Sequence, residues 1–135
     1  MRDDWRKAAI AGDRRVIERL LAAGADIDGR DRYGQTALML AALHGRDEVV
    51  RLLLDHGADR DVTAKYGLSA LMLAVINRRI GVAKRLVDAG ADPRLRGSGA
   101  PGFAGKTARE LAEHGGLTDL AAYIAGAEGP DPPGE

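Results

Sequence analysis

The segment Ala100-Pro101-Gly102-Phe103-Ala104-Gly105-Lys106-Thr107 carries the spacing of a relaxed phosphate loop: a small residue, four others, then Gly-Lys-Thr. In such a loop backbone amides wrap a phosphate, Lys106 would balance its charge and Thr107 would hold Mg²⁺. That chemistry needs a buried parallel strand leading into the loop. Pro93-Arg94-Leu95-Arg96 is polar and contains a proline, and no later segment reads as a strand ending in a metal-binding Asp. Nucleotide binding through residues 100–107 is therefore only a minor alternative. The histidines at 44, 56 and 114 lack metal-ligand spacing. Asp26/Asp28 and Asp59/Asp61 could be imagined as acid–base pairs or calcium ligands, but no third ligand accompanies them, and turn chemistry accounts for them better. With no cysteine, thiolate zinc sites, Cys nucleophiles and disulfides are excluded. No Ser–His–Asp arrangement is suggested. No catalytic, metal or cofactor site is expected, and the chain is not expected to be an enzyme.

The elements holding these residues repeat. Gly-Ala-Asp recurs at Gly24-Ala25-Asp26, Gly57-Ala58-Asp59 and Gly90-Ala91-Asp92, a period of 33 residues. A fixed period of this size means one supersecondary unit stacked on copies of itself. Each unit reads as turn, helix, turn, helix. Thr36 and Ser69 are placed to cap a first helix, whose apolar face holds Leu38, Leu40 and Ala41 or Leu71, Leu73 and Ala74. Val49, Val50, Leu53 and Leu54 mark the buried side of a second helix, which Gly57 stops; Gly90 stops its counterpart. Helices of two or three turns are too short to persist alone, so stacking must stabilise them.

The stretches Gly34-Gln35-Thr36-Ala37-Leu38-Met39-Leu40-Ala41-Ala42 and Val49-Val50-Arg51-Leu52-Leu53-Leu54, with the Gly-Ala-Asp close, resemble the ankyrin repeat over roughly residues 4 to 125. The resemblance implies an all-α solenoid of stacked helix-turn-helix pairs, joined by short β-hairpin loops that project at right angles. It divides the chain into a cap (1–30), repeats at 31–63 and 64–96, and a loop insertion with a second cap (97–125). A disordered tail is expected over 126–135.

Three departures from the family pattern stand out. The usual Thr-Pro-Leu-His is Thr36-Ala37-Leu38-Met39 in one unit and Ser69-Ala70-Leu71-Met72 in the next. Arg78 replaces the glycine found between paired helices at Gly12, Gly45 and Gly116, so Asn77 is expected to take the positive φ in its place. The interval from Ser69 to Thr107 is also five residues longer than that from Thr36 to Ser69. The excess falls in a glycine-rich loop carrying Phe103, expected to be exposed and available to a partner.

Twenty basic residues balance twenty acidic ones, which gives no global attraction to nucleic acid or anionic membrane. The apolar runs are far shorter than a membrane span, no secretory leader is expected after Met1, and the default is a cytoplasmic monomer. Proteins of this resemblance meet partners with their hairpin tips and the exposed ends of first helices. Those positions are Arg32, Tyr33, Gln35, Leu43 and His44 in one unit, and Lys65, Tyr66, Leu68, Ile76 and Asn77 in the next. Tyr33 and Tyr66 occupy equivalent tips and would be the anchors. Leu43, Leu68 and Ile76 would form an exposed apolar floor. The expected function is recognition of a protein partner through this concave surface. The rival is a dedicated inhibitor or immunity protein that blocks a partner enzyme.

Overall fold

The computed structural model describes residues 1–99 and 102–129. Within them eight helices follow one another: α1 (Asp3–Ala11), α2 (Arg14–Ala22), α3 (Ala37–Leu43), α4 (Asp47–Asp55), α5 (Ala70–Ile76), α6 (Ile80–Asp88), α7 (Ala108–His114) and α8 (Thr118–Glu128). Each odd helix packs against the even helix that follows it. The odd helices also form a row, α1 on α3, α3 on α5 and α5 on α7, while α2, α4, α6 and α8 form a second row behind it. This is the all-α helical repeat expected from the period. The links between pairs are turns, and no strand occurs among the described residues beyond an isolated bridge between Gly97 and Ala104.

The two central helices of the inner row, α3 and α5, are each packed between two neighbours of that row. In α3, Ala37 through Ala42 are all buried, and in α5, Ala70 through Val75. Side-chain caps start both helices: Thr36 Oγ1 accepts from the Met39 amide at 3.3 Å and Ser69 Oγ from the Met72 amide at 3.2 Å. The outer helices are amphipathic, and α4 buries Val49, Val50, Leu52 and Leu53 while Arg51 and Asp55 face solvent. Burying a side chain such as Leu53 or Leu38 is worth about 1.5–3 kcal/mol, so packing outweighs the weak propensity of a two-turn helix.

Both outer helices of the repeats end in the same way. The Ala58 amide donates to the Leu53 carbonyl and Gly57 to Leu54; Ala91 and Gly90 do the same with Leu86 and Val87. The glycines take φ of 84° and 90° to close this double bond. The inner helix α5 closes identically, with Arg78 donating to Val75 and Arg79 to Ala74. Here the expectation for Asn77 fails. Arg78 carries the positive φ, 59°, while Asn77 stays at −93°. The register of the stack decides it: α5 must match α3 in length, so the left-handed residue falls where Gly45 stands one repeat earlier. Asn77 is occupied otherwise, its Nδ2 donating to the Leu73 carbonyl at 2.8 Å. Arg78 reaches forward, donating to the Gly115 carbonyl of the next pair at 2.9 Å.

Helix α8 runs through Glu128, three residues past the expected end of the repeat domain at 125. The remaining tail positions, 130–135, lie outside the described residues.

Candidate functional site

The turn between α2 and α3 is built by Asp31. Its Oδ1 accepts from the amides of Tyr33 and Gln35, both at 2.9 Å, and its Oδ2 takes the Arg6 Nε at 3.2 Å. The main chain closes through Asp31 N to Gln35 O at 2.9 Å. One repeat later the equivalent bond runs from Ala64 N to Leu68 O, also 2.9 Å, but Ala64 has no side-chain acceptor. The second turn, Lys65–Gly67, adopts a different backbone, with Tyr66 at φ 65° and Gly67 at 68°.

Both tips carry the same pair of side chains. The Arg32 guanidinium lies 5.1 Å from the Tyr33 ring centre, and the Lys65 ammonium 5.0 Å from that of Tyr66. Tyr33 and Tyr66 are 52% and 41% exposed; Tyr123 on α8 is 40% exposed with the Lys84 ammonium 5.2 Å from its ring centre, but only the first two stand at equivalent tips one repeat apart. Between the tips lies an open cleft of about 310 Å³, lined by Arg6, Tyr33, Gln35, Ala64, Lys65, Tyr66, Leu68 and Leu73.

The structure thus gathers Tyr33, Gln35, Lys65, Tyr66 and Leu68 at one place, with Arg32 above Tyr33. It adds Arg6, Ala64 and Leu73. Arg6 lies on α1 in the first cap; its contact with Asp31 spans 25 residues and leaves no local sequence signal. Leu43, His44, Ile76 and Asn77, at the far ends of α3 and α5, do not line the cleft.

The expected exposure of three apolar residues is corrected. Leu68 is only 8% exposed, because the turn aims it inward beneath Tyr66. Leu43 and Ile76 are half-buried and packed on the core. Phe103 is also half-buried against the core: the insertion folds back, with Gly97 N bonded to Lys106 O and Gly105 N to Gly97 O. A side chain at Gly97 would lie 2.5 Å from the Phe103 carbonyl, so only glycine lets these strands of chain approach.

At the helix ends, Arg46 donates from Nε to the Ile10 carbonyl at 2.8 Å and Arg79 to the Leu43 carbonyl at 3.2 Å. Burial lowers the His44 pKa below its ordinary value, and Arg46, Arg79 and Arg6 lower it further.

The other candidate chemistry is spoken for. Lys106 Nζ donates to the Gly102 carbonyl at 3.0 Å. Thr107 caps α7 in a reciprocal box with Glu110, whose carboxylate accepts from the Thr107 amide while the Glu110 amide donates to Thr107 Oγ1. Asp26, Asp59 and Asp92 each accept from the amide two residues on, and Asp28 and Asp61 accept from the amides of Asp59 and Asp92 in the following repeat. These carboxylates staple successive loops together. Among the described residues no group of three His, Asp or Glu side chains could hold a metal ion, and no helix is long and apolar enough to cross a membrane.

A family model for ankyrin repeats, in three copies, matches residues 6–96. No curated protein matches the chain. The matched span comprises the first three helix pairs; the pair α7–α8 beyond it continues the same stacking.

Proposed function

The chain belongs to the ankyrin-repeat family, whose members are generally protein-interaction modules and typically non-catalytic, and on that premise we propose that it recognises a partner protein through the cleft between its two turn tips. The observation that carries this reading is the pair of exposed tyrosines at equivalent tips, each with its own cation, flanking an apolar floor of Leu68 and Leu73. Tyrosine and arginine are the residue types most often found as energetic anchors, and large aromatic surface left in water is otherwise unfavourable. The half-buried Leu43 and Ile76, with His44 and Asn77, extend this surface along the ends of α3 and α5, and Phe103 borders it only through the insertion. The protein acts as a monomer, a reading supported by the charged faces of its terminal helices, such as Arg14, Arg15, Glu18 and Arg19 on α2.

Affinity capture with mass spectrometry tests it, with the wild-type chain and the Tyr33→Ala/Tyr66→Ala double variant as baits. A partner should be retained by the first and lost by the second, with helicity unchanged by circular dichroism. Equal recovery on both baits would remove the cleft from the account. If the captured partner is an enzyme, its activity with and without the chain separates simple docking from inhibition.

A further inference from the structure

We infer that the cleft receives an acidic peptide segment of its partner, an extended stretch in which carboxylates flank apolar or aromatic side chains. This rests on the recognition reading above and adds the chemistry of the occupant.

The argument is one of charge. Every ionisable group that lines the cleft with a full charge at neutral pH is basic: Arg6 and Lys65, with Arg32 at the rim. The nearest carboxylate, Asp31, is turned inward. Its side chain is 5% exposed against 36% for Arg6, so the ion pair shows solvent its cationic half. Asp31 is further occupied by two backbone amides. At the far ends of α3 and α5, Arg46 and Arg79 donate to the Ile10 and Leu43 carbonyls and lie close enough to His44 to lower its pKa.

The chain as a whole is neutral, so this one-signed surface is a separation of charge within it. The balancing carboxylates include Asp26, Asp28, Asp59, Asp61 and Asp92, held by backbone amides in the repeat-closing loops. The back of the molecule offers a contrast: a groove there, about 430 Å³, mixes Arg51, Lys84 and Arg85 with Asp55 and Asp88. A cleft walled by low-dielectric side chains and carrying charges of one sign concentrates the opposite sign from solution.

Geometry sets the spacing of the occupant. Stacked helices lie about 8–10 Å apart, which about three residues of extended chain would span. Apolar side chains on one face of the occupant, about that far apart, would therefore meet Tyr33 and Tyr66, with acidic neighbours on Arg32, Arg6 and Lys65. The apolar floor of Leu68 and Leu73 favours a peptide over a nucleic acid strand.

The test is a random peptide library displayed on phage and selected on the full chain, followed by fluorescence anisotropy of the enriched peptides. Peptides whose binding is lost with Tyr33→Ala should be rich in Asp and Glu. They should bind Lys65→Glu at least about tenfold more weakly than wild type, and lose affinity as salt is raised. They should be indifferent to Arg51→Glu on the outer helix α4. Tyrosine-dependent peptides with no acidic excess, or unaffected by Lys65→Glu, would overturn the acidic occupant and leave the recognition cleft standing. Peptides indifferent to both tyrosines would overturn both. A labelled single-stranded RNA that those peptides displace from the wild-type chain would assign the basic surface to nucleic acid and overturn the inference.

Discussion

The amide of Ser98 donates to the carbonyl of Tyr66 at 2.6 Å, tying the inserted loop to the tip that the cleft exposes. Tyr66 sits at φ 65°, a left-handed conformation costly for a bulky side chain, whereas Tyr33 at the equivalent tip does not. The difference follows from Asp31 becoming Ala64. The first turn is held from within by a carboxylate; the second, lacking one, is held from outside by the insertion.

Strain of this kind has a signature in paired substitutions. At position 66 the glycine variant should be more stable than the alanine variant by about 1 kcal/mol, because glycine has no Cβ to clash in that conformation. At position 33 the order should disappear or reverse. Thermal denaturation of the four variants reads this directly, and the same order at both positions would remove the strain from the account.

Arg78 and Gly45 occupy the same place in successive repeats with opposite suitability. Arg78→Gly should stabilise the chain by about 0.5–1 kcal/mol, the relief at φ 59° outweighing one exposed bond to the Gly115 carbonyl. Gly45→Ala should destabilise it by about 1–2 kcal/mol, since its φ is 70° and a Cβ would lie 2.9 Å from Arg79 Cδ. Urea midpoints check both directions.

Acid should loosen the first turn. Burial pushes the Asp31 carboxyl upward, but the amides of Gln35 and Tyr33 and the Arg6 guanidinium outweigh it, holding the group below its ordinary value. A carboxylate with a lowered folded pKa contributes stability that is fully present above the unfolded value, near about 3.9, and is lost as pH falls through the folded one. The wild-type melting temperature should therefore drop more steeply below about pH 4 than that of Asp31→Asn. Parallel pH profiles would show that the carboxylate contributes nothing measurable.

Thr107 has a structural role to lose. Thr107→Ala removes the cap of α7 and should cost about 1 kcal/mol, with faster amide exchange in the last helix pair than elsewhere. Calorimetry of the wild type with ATP and Mg²⁺ should give no heat, because Lys106 and Thr107 are committed to Gly102 and Glu110. Measurable heat would reinstate the phosphate-loop reading.

The stack itself was legible in the chain. A unit recurring every 33 residues, a Thr or Ser before α3, α5 and α7 and a glycine after each outer helix are local signals, and nearest-neighbour packing converts them into architecture without long-range choices. The tyrosine tips could be named for the same reason. The surface between them could not, since exposure depends on contacts that do not repeat. Leu68 turns inward under a strained neighbour, Phe103 folds onto the core with an insertion unique to one loop, and Arg6 finds Asp31 across 25 residues. Arg78 takes a conformation that its side chain alone would assign to Asn77, because matching one helix to the length of its neighbour outweighs roughly 1 kcal/mol of backbone strain. Periodicity specifies what every repeat shares; only the packed molecule specifies where two repeats differ, and the candidate cleft lies at such a difference.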